Sequence, residues 1–138
     1  MLGQGTLTTA DFDIMGVSYY PFYIASATLA NLKNSLNNLA TKCGKEIVAA
    51  ESNWPVHYPY PKHYFSSDAS SIPFSSPGQT TWMRNVTSVV SSMKGCSGVL
   101  YSEPAWIQNA NLGSSCADCL MFDPNGKART RLAVFASI

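Results

Sequence analysis

Three short, nearly unbroken apolar runs alternate with two segments of helical periodicity. This order constrains the fold more than any other feature of the chain. The first run, FDIMGVSYY, covers residues 12–20 and ends at Pro21. The second, Ile47 to Ala50, leads into Glu51, and the third, Gly98 to Tyr101, leads into SEPAW. Runs with so little alternation suit strands buried on both faces, as in parallel sheets. Between the first two runs, Leu29, Leu32, Leu36 and Leu39 recur at spacings of three and four and draw one apolar stripe. Ser26 or Thr28 can cap that helix, and Gly44 is a good stop. A second helix is predicted over 79–93, with Trp82, Val86, Val89, Val90 and Met93 as its buried stripe and Gly95 at its end. A last short helix falls near 127–136. The order β-α-β-α-β-α predicts an α/β fold with a parallel sheet and right-handed crossovers.

The chain has 138 residues, 46% of them apolar, which suits one domain with a real core and excludes a disordered chain. Charged residues are only 12% and the formal net charge is +1, so there is no basic patch for a phosphate backbone and nucleic-acid binding is not expected. No apolar run approaches the ~20 residues that cross a bilayer, so no membrane partner is expected. The N-terminal MLGQGTLTTADFD has neither a positive n-region nor an apolar h-region and does not read as a signal peptide. No phosphate-binding glycine loop follows any strand, which weakens nucleotide-binding readings. Cys116 and Cys119 form the one C-x-x-C; without a second pair, loop thiols or a disulfide fit better than a zinc site. His57 and His63 lie in the long 52–78 loop with no nucleophile at a recognisable spacing, and read as surface histidines.

In parallel α/β folds, chemistry gathers at the C-terminal ends of the strands. Here those ends read Ser18-Tyr19-Tyr20-Pro21, Glu51-Ser52-Asn53-Trp54-Pro55 and Tyr101-Ser102-Glu103-Pro104-Ala105-Trp106. Aromatic faces can stack on pyranose rings, and carboxylates bond hydroxyls or do glycosidic chemistry. By position alone, Glu51 fits both a nucleophile on a rigid element and a solvated strand-end carboxylate. Glu103, before Pro104, fits a hydrogen bond to a loop or a substrate hydroxyl better than catalysis. The tyrosines and tryptophans fit core packing as well as a sugar cleft.

The segments DFDIMGVSYYPFY, KEIVAAESNWP and GVLYSEPAWIQNANLGSSCAD, with the GQTT-led helix in order between the last two, resemble the C-terminal part of fungal arabinogalactan endo-β-1,4-galactanases, glycoside hydrolase family 53. The resemblance covers nearly the whole chain. It implies a (β/α)8 barrel, of which residues 1–138 hold units six to eight as a C-terminal fragment. It implies retaining hydrolysis of β-1,4-galactan in pectin side chains, with Glu51 matching the nucleophile and Tyr19, Tyr20, Asn53, Trp54, Glu103 and Trp106 lining the sugar cleft. It implies no organic cofactor, no metal and secretion of the full-length protein.

Three departures follow from the same resemblance. A barrel of this kind takes about 250 residues. The first five strands are then missing here, together with the acid/base Glu, and no Asn-Glu pair occurs in the chain. Retaining hydrolysis needs two carboxyl groups about 5–5.5 Å apart, so the chain alone is expected to be nearly inactive. Second, Ser102 stands where the family usually has a Trp beside the cut bond, a loss worth ~1–3 kcal/mol of stacking by analogy with bases on aromatics. Third, Tyr58 stands where fungal members carry a Cys, which would leave Cys116 without its family partner. Open sheet edges and an uncovered inner face are expected to favour self-association. The alternatives are a non-catalytic β-galactan binder that keeps the cleft aromatics, and a decayed gene product whose Met1 is a convenient start inside a loop.

Overall fold

A computed structural model describes residues 5–58, 64–107 and 118–136. Strand β1 (Ile14–Ser18), helix α1 (Leu29–Cys43), strand β2 (Glu46–Ser52), helix α2 (Ser76–Ser91) and strand β3 (Cys96–Tyr101) follow one another, and a short 3-10 helix closes the chain at Thr130–Ala136. The strands form one parallel sheet in the order β1-β2-β3.

The helix ends have local causes. The Thr28 hydroxyl accepts from the Asn31 N–H at 3.1 Å, and the Asp68 carboxylate accepts from the Leu29 N–H at 2.6 Å, so two of the orphan donors at the start of α1 are filled. Gly44 ends α1 in the left-handed region, φ 59°. Helix α2 starts at Ser76, three residues before the expected boundary. Ser75 caps it by accepting from Gly78 N–H at 3.1 Å, and Pro77 sits in its first turn, where a missing N–H costs nothing. The helix ends at Ser91, short of Met93, and Gly95 turns the chain into β3 with φ 87°.

Both helices pack on one face of the sheet. Ile47 and Ala49 point into that layer, against Leu32 and Leu36 of α1 and Trp82, Met83, Val86 and Val90 of α2. The 64–74 segment adds Phe65, Ala69 and Ile72 to the same core. Among the described residues no layer covers the opposite face, with Ile14, Gly16, Val48, Ala50 and Leu100; Leu100 is 57% exposed. Gly16 packs closely there, since a Cβ would meet the Ala50 Cβ at 3.1 Å. No helix among the described residues is long and apolar enough to cross a membrane.

Candidate functional site

The ends of the three strands are tied to one another through the backbone. The Tyr19 N–H donates to the Glu51 carbonyl at 2.8 Å, and the Ser102 N–H donates to the Ser52 carbonyl at 2.9 Å. The β1–β2 register slips between Val17 and Ser18, which pair with Ala49 and Glu51. This bulge lets Ser52 point back to the helices, where its hydroxyl accepts from the Trp82 indole N–H at 3.0 Å, and leaves Glu51 exposed on the open face.

The Tyr20 hydroxyl reaches Glu51 across the sheet. It lies 3.1 Å from Glu51 Oε2 and 2.8 Å from Ser102 Oγ. Its ring is held by Phe22 and Tyr23, with both centroids 5.4 Å away. Burial, and then the bond to Glu51, push the Tyr20 phenol up to about 12, while the Ser102 hydroxyl pulls it the other way. The phenol therefore keeps its proton at neutral pH and can donate it to the carboxylate.

Glu51, Tyr20 and Ser102 form one cluster. Glu103 follows directly, exposed, with φ 53°, the one non-glycine residue with positive φ among those described. Trp106 is 45% exposed two residues beyond Pro104. Asn53 is buried at the end of β2, and its Oδ1 has no hydrogen-bond partner among the described residues.

Tyr19 and Trp54, expected to line a sugar cleft, are buried in the helix layer. Tyr19 is 8% exposed, stacks on Trp82 at 5.7 Å and donates its hydroxyl proton to the Ala27 carbonyl at 2.9 Å. Trp54 is 0% exposed among Phe65, Phe74 and Trp82, and its indole N–H donates to the Pro73 carbonyl at 3.0 Å. Neither ring offers a free face to a sugar. Tyr19 and Tyr20 lie just beyond the end of β1 and turn to opposite sides of the sheet, Tyr19 to the helices and Tyr20 to Glu51.

Behind β3, Gln79 anchors the chain that follows. Its side-chain N–H groups sit 3.0 Å from the Trp54 carbonyl, 3.0 Å from the Tyr101 hydroxyl and 3.1 Å from the Leu120 carbonyl. The Tyr101 hydroxyl lies 2.6 Å from the Cys119 carbonyl, and Arg129 pairs with Asp118 at 2.5 Å. Tyr58 is buried beside Phe22 and Cys119. His57 is exposed; His63 and Cys116 lie outside the described residues. No group of three His, Cys, Asp or Glu side chains that could hold a metal occurs among the described residues.

The family model of glycosyl hydrolase family 53 matches residues 3–135. The chain belongs to glycosyl hydrolase family 53. It is 53% identical over 138 residues to the arabinogalactan endo-β-1,4-galactanase of Humicola insolens and 55% identical to that of Thermothelomyces thermophilus. All of this family 53 chain is covered in both comparisons, but only 42% of each relative. A solved fungal β-1,4-galactanase superposes with a TM-score of 0.92 and 54% identity over 99% of the chain and 41% of that structure. The family 53 catalytic domain of Ignisphaera aggregans superposes at 0.70 with 22% identity, over 90% of the chain and 38% of that domain, a likeness of fold. The three-stranded parallel sheet is accordingly part of a (β/α)8 barrel, and its open face is the one a barrel turns inward.

Proposed function

We propose that this chain supplies the nucleophile side of a retaining endo-β-1,4-galactanase site. The observation that carries the reading is Glu51: an exposed carboxylate on the inward face of the central strand, at its C-terminal end, accepting from Tyr20. The names of the relatives in Humicola insolens and Thermothelomyces thermophilus supply the substrate class. Glu51 attacks the anomeric carbon of a galactosyl unit, the C1–O bond to the leaving sugar breaks, and the sugar becomes esterified to Glu51. Tyr20, Glu103 and Trp106 line that side of the cleft. The leaving oxygen needs a proton from a second carboxyl group across the cleft. Of the other described carboxylates after β2 and β3, Asp68 accepts from the Leu29 N–H, Asp118 is engaged by Arg129, Asp123 accepts from the Asn125 and Lys127 N–H groups, and Glu103 stands on the turn beyond β3. The reading therefore assigns the nucleophilic attack to this chain, complete by itself only where the leaving group needs no proton, and slow turnover of polysaccharide to the chain alone. A cell-wall galactan is met outside the cell, which goes with a secreted protein. The open sheet face and the edges of β1 and β3 suit association with further copies.

The test separates leaving groups. With a dinitrophenyl β-galactobioside, whose leaving group needs no proton, the 138-residue chain should release dinitrophenol in a burst that Glu51→Gln removes. Linear β-1,4-galactan should be cut barely at all. Rapid cutting of the polysaccharide would overturn the division of labour, and a burst that survives Glu51→Gln would overturn the nucleophile.

A further inference from the structure

We infer that Ser102 is a positioning residue for Glu51, acting through the Tyr20 hydroxyl. The inference rests on the reading of Glu51 as nucleophile and adds a residue to that machinery.

The Tyr20 hydroxyl has one proton and two oxygen neighbours, Glu51 Oε2 at 3.1 Å and Ser102 Oγ at 2.8 Å. An ionised carboxylate only accepts, so the phenol proton belongs to Glu51. The Ser102 hydroxyl must then donate to the phenol oxygen. The chain is directional: Ser102 O–H to Tyr20 O–H to Glu51. Hydrogen bonds aligned in this way polarise one another, so the Ser102 bond makes the phenol a stronger donor to the carboxylate.

The geometry is built rather than incidental. Ser102 is 9% exposed, so water competes little for its hydroxyl. Its N–H is pinned to the Ser52 carbonyl, next to Glu51, at 2.9 Å. Tyr20 is fixed from the other side by Phe22 and Tyr23. Each of the three strand ends thus gives one oxygen to the relay. Loss of the Ser102 hydroxyl leaves the Tyr20 ring in place and removes the donor behind it. The effect should fall on the chemistry at Glu51 and not on the contacts that hold the sugar.

Two readouts test this on the whole chain. The first is the NMR signal of 13Cζ-labelled tyrosine at neutral pH, with Tyr20 assigned by its loss in Tyr20→Phe. Ser102→Ala should move the Tyr20 signal, Ser102→Thr should return it towards the wild-type position, and the Tyr19 and Tyr101 signals should stay put as the check on folding. The second is the rate at which a dinitrophenyl 2-deoxy-2-fluoro-β-galactobioside labels Glu51. Ser102→Ala should slow labelling by about two- to fivefold, the factor that losing a strengthening of about 30% in a charge-assisted hydrogen bond accounts for, at unchanged affinity, and Ser102→Thr should restore it. A Tyr20 signal untouched by Ser102→Ala, or equal labelling rates in Ser102→Ala and wild type, overturns the relay alone. Absence of labelling in the wild-type chain overturns the nucleophile, and the relay's purpose with it.

Discussion

Gly78→Ala should destabilise the protein, although it replaces glycine by the best helix former inside a helix. In an open helix that change stabilises by about 1 kcal/mol. Here a Cβ at position 78 would stand 1.9 Å from the Pro73 carbonyl oxygen and 3.0 Å from Trp54 Nε1. The carbonyl must retreat by more than an ångström, and it is the acceptor for the buried Trp54 indole. Orphaning that donor costs about 1–3 kcal/mol, and overpacking of the surrounding rings a similar amount. The net loss is about 1–5 kcal/mol after the helix preference is set against it. Urea unfolding followed by tryptophan fluorescence reads the change directly, as a lower midpoint at unchanged slope. Gly98→Ala is the matched control, since a Cβ there meets nothing within 4 Å, and its midpoint should stay within about 0.5 kcal/mol of wild type. A Gly78→Ala protein as stable as wild type would refute the packing of Trp54 against the 73–78 segment.

Gln79→Leu should cost about 2–4 kcal/mol, because the buried Trp54 and Leu120 carbonyls and the Tyr101 hydroxyl lose a common donor; the same urea titration measures it. Stability should fall as pH rises above 10. The unfolded chain ionises its tyrosines near 10, whereas Tyr20 holds its proton to about 12 and buried Tyr19 and Tyr101 hold theirs higher still. Over that window the unfolded state binds fewer protons, so the unfolding free energy declines, and Tyr20→Phe should make the decline shallower in urea midpoints taken from pH 9 to 12. The double change Ile14→Lys and Leu100→Lys, on the open sheet face, should reduce concentration-dependent association in sedimentation velocity; a wild-type chain that stays monomeric at all concentrations would contradict the use of that face.

Much of the scaffold was legible because its signals are local. Thr28 and Gly44 mark the ends of the first helix by capping chemistry that needs no tertiary context. The start of the second helix was less visible, since Pro77-Gly78 reads as a turn until Ser75 is seen capping it. Motif resemblance pointed to Glu51, which lies exposed near the end of β2. The aromatic neighbours were harder. Trp54 looks like a sugar platform in sequence because Glu51-Ser52-Asn53-Trp54 are contiguous, but the chain leaves the strand after Ser52 and turns the indole into the helix layer. The Ser102 contact could not have been read at all. It joins residues 82 positions apart, and a small hydroxyl carries no periodic or compositional signal.

The role of Glu51 is tested most directly by trapping. The whole chain is incubated with the fluorinated dinitrophenyl galactobioside, and peptide mass mapping locates the sugar. The account predicts one sugar per chain, esterified to Glu51, and none in Glu51→Gln. Label on another carboxylate, Glu103 above all, or no label on a chain shown to be folded, would contradict it.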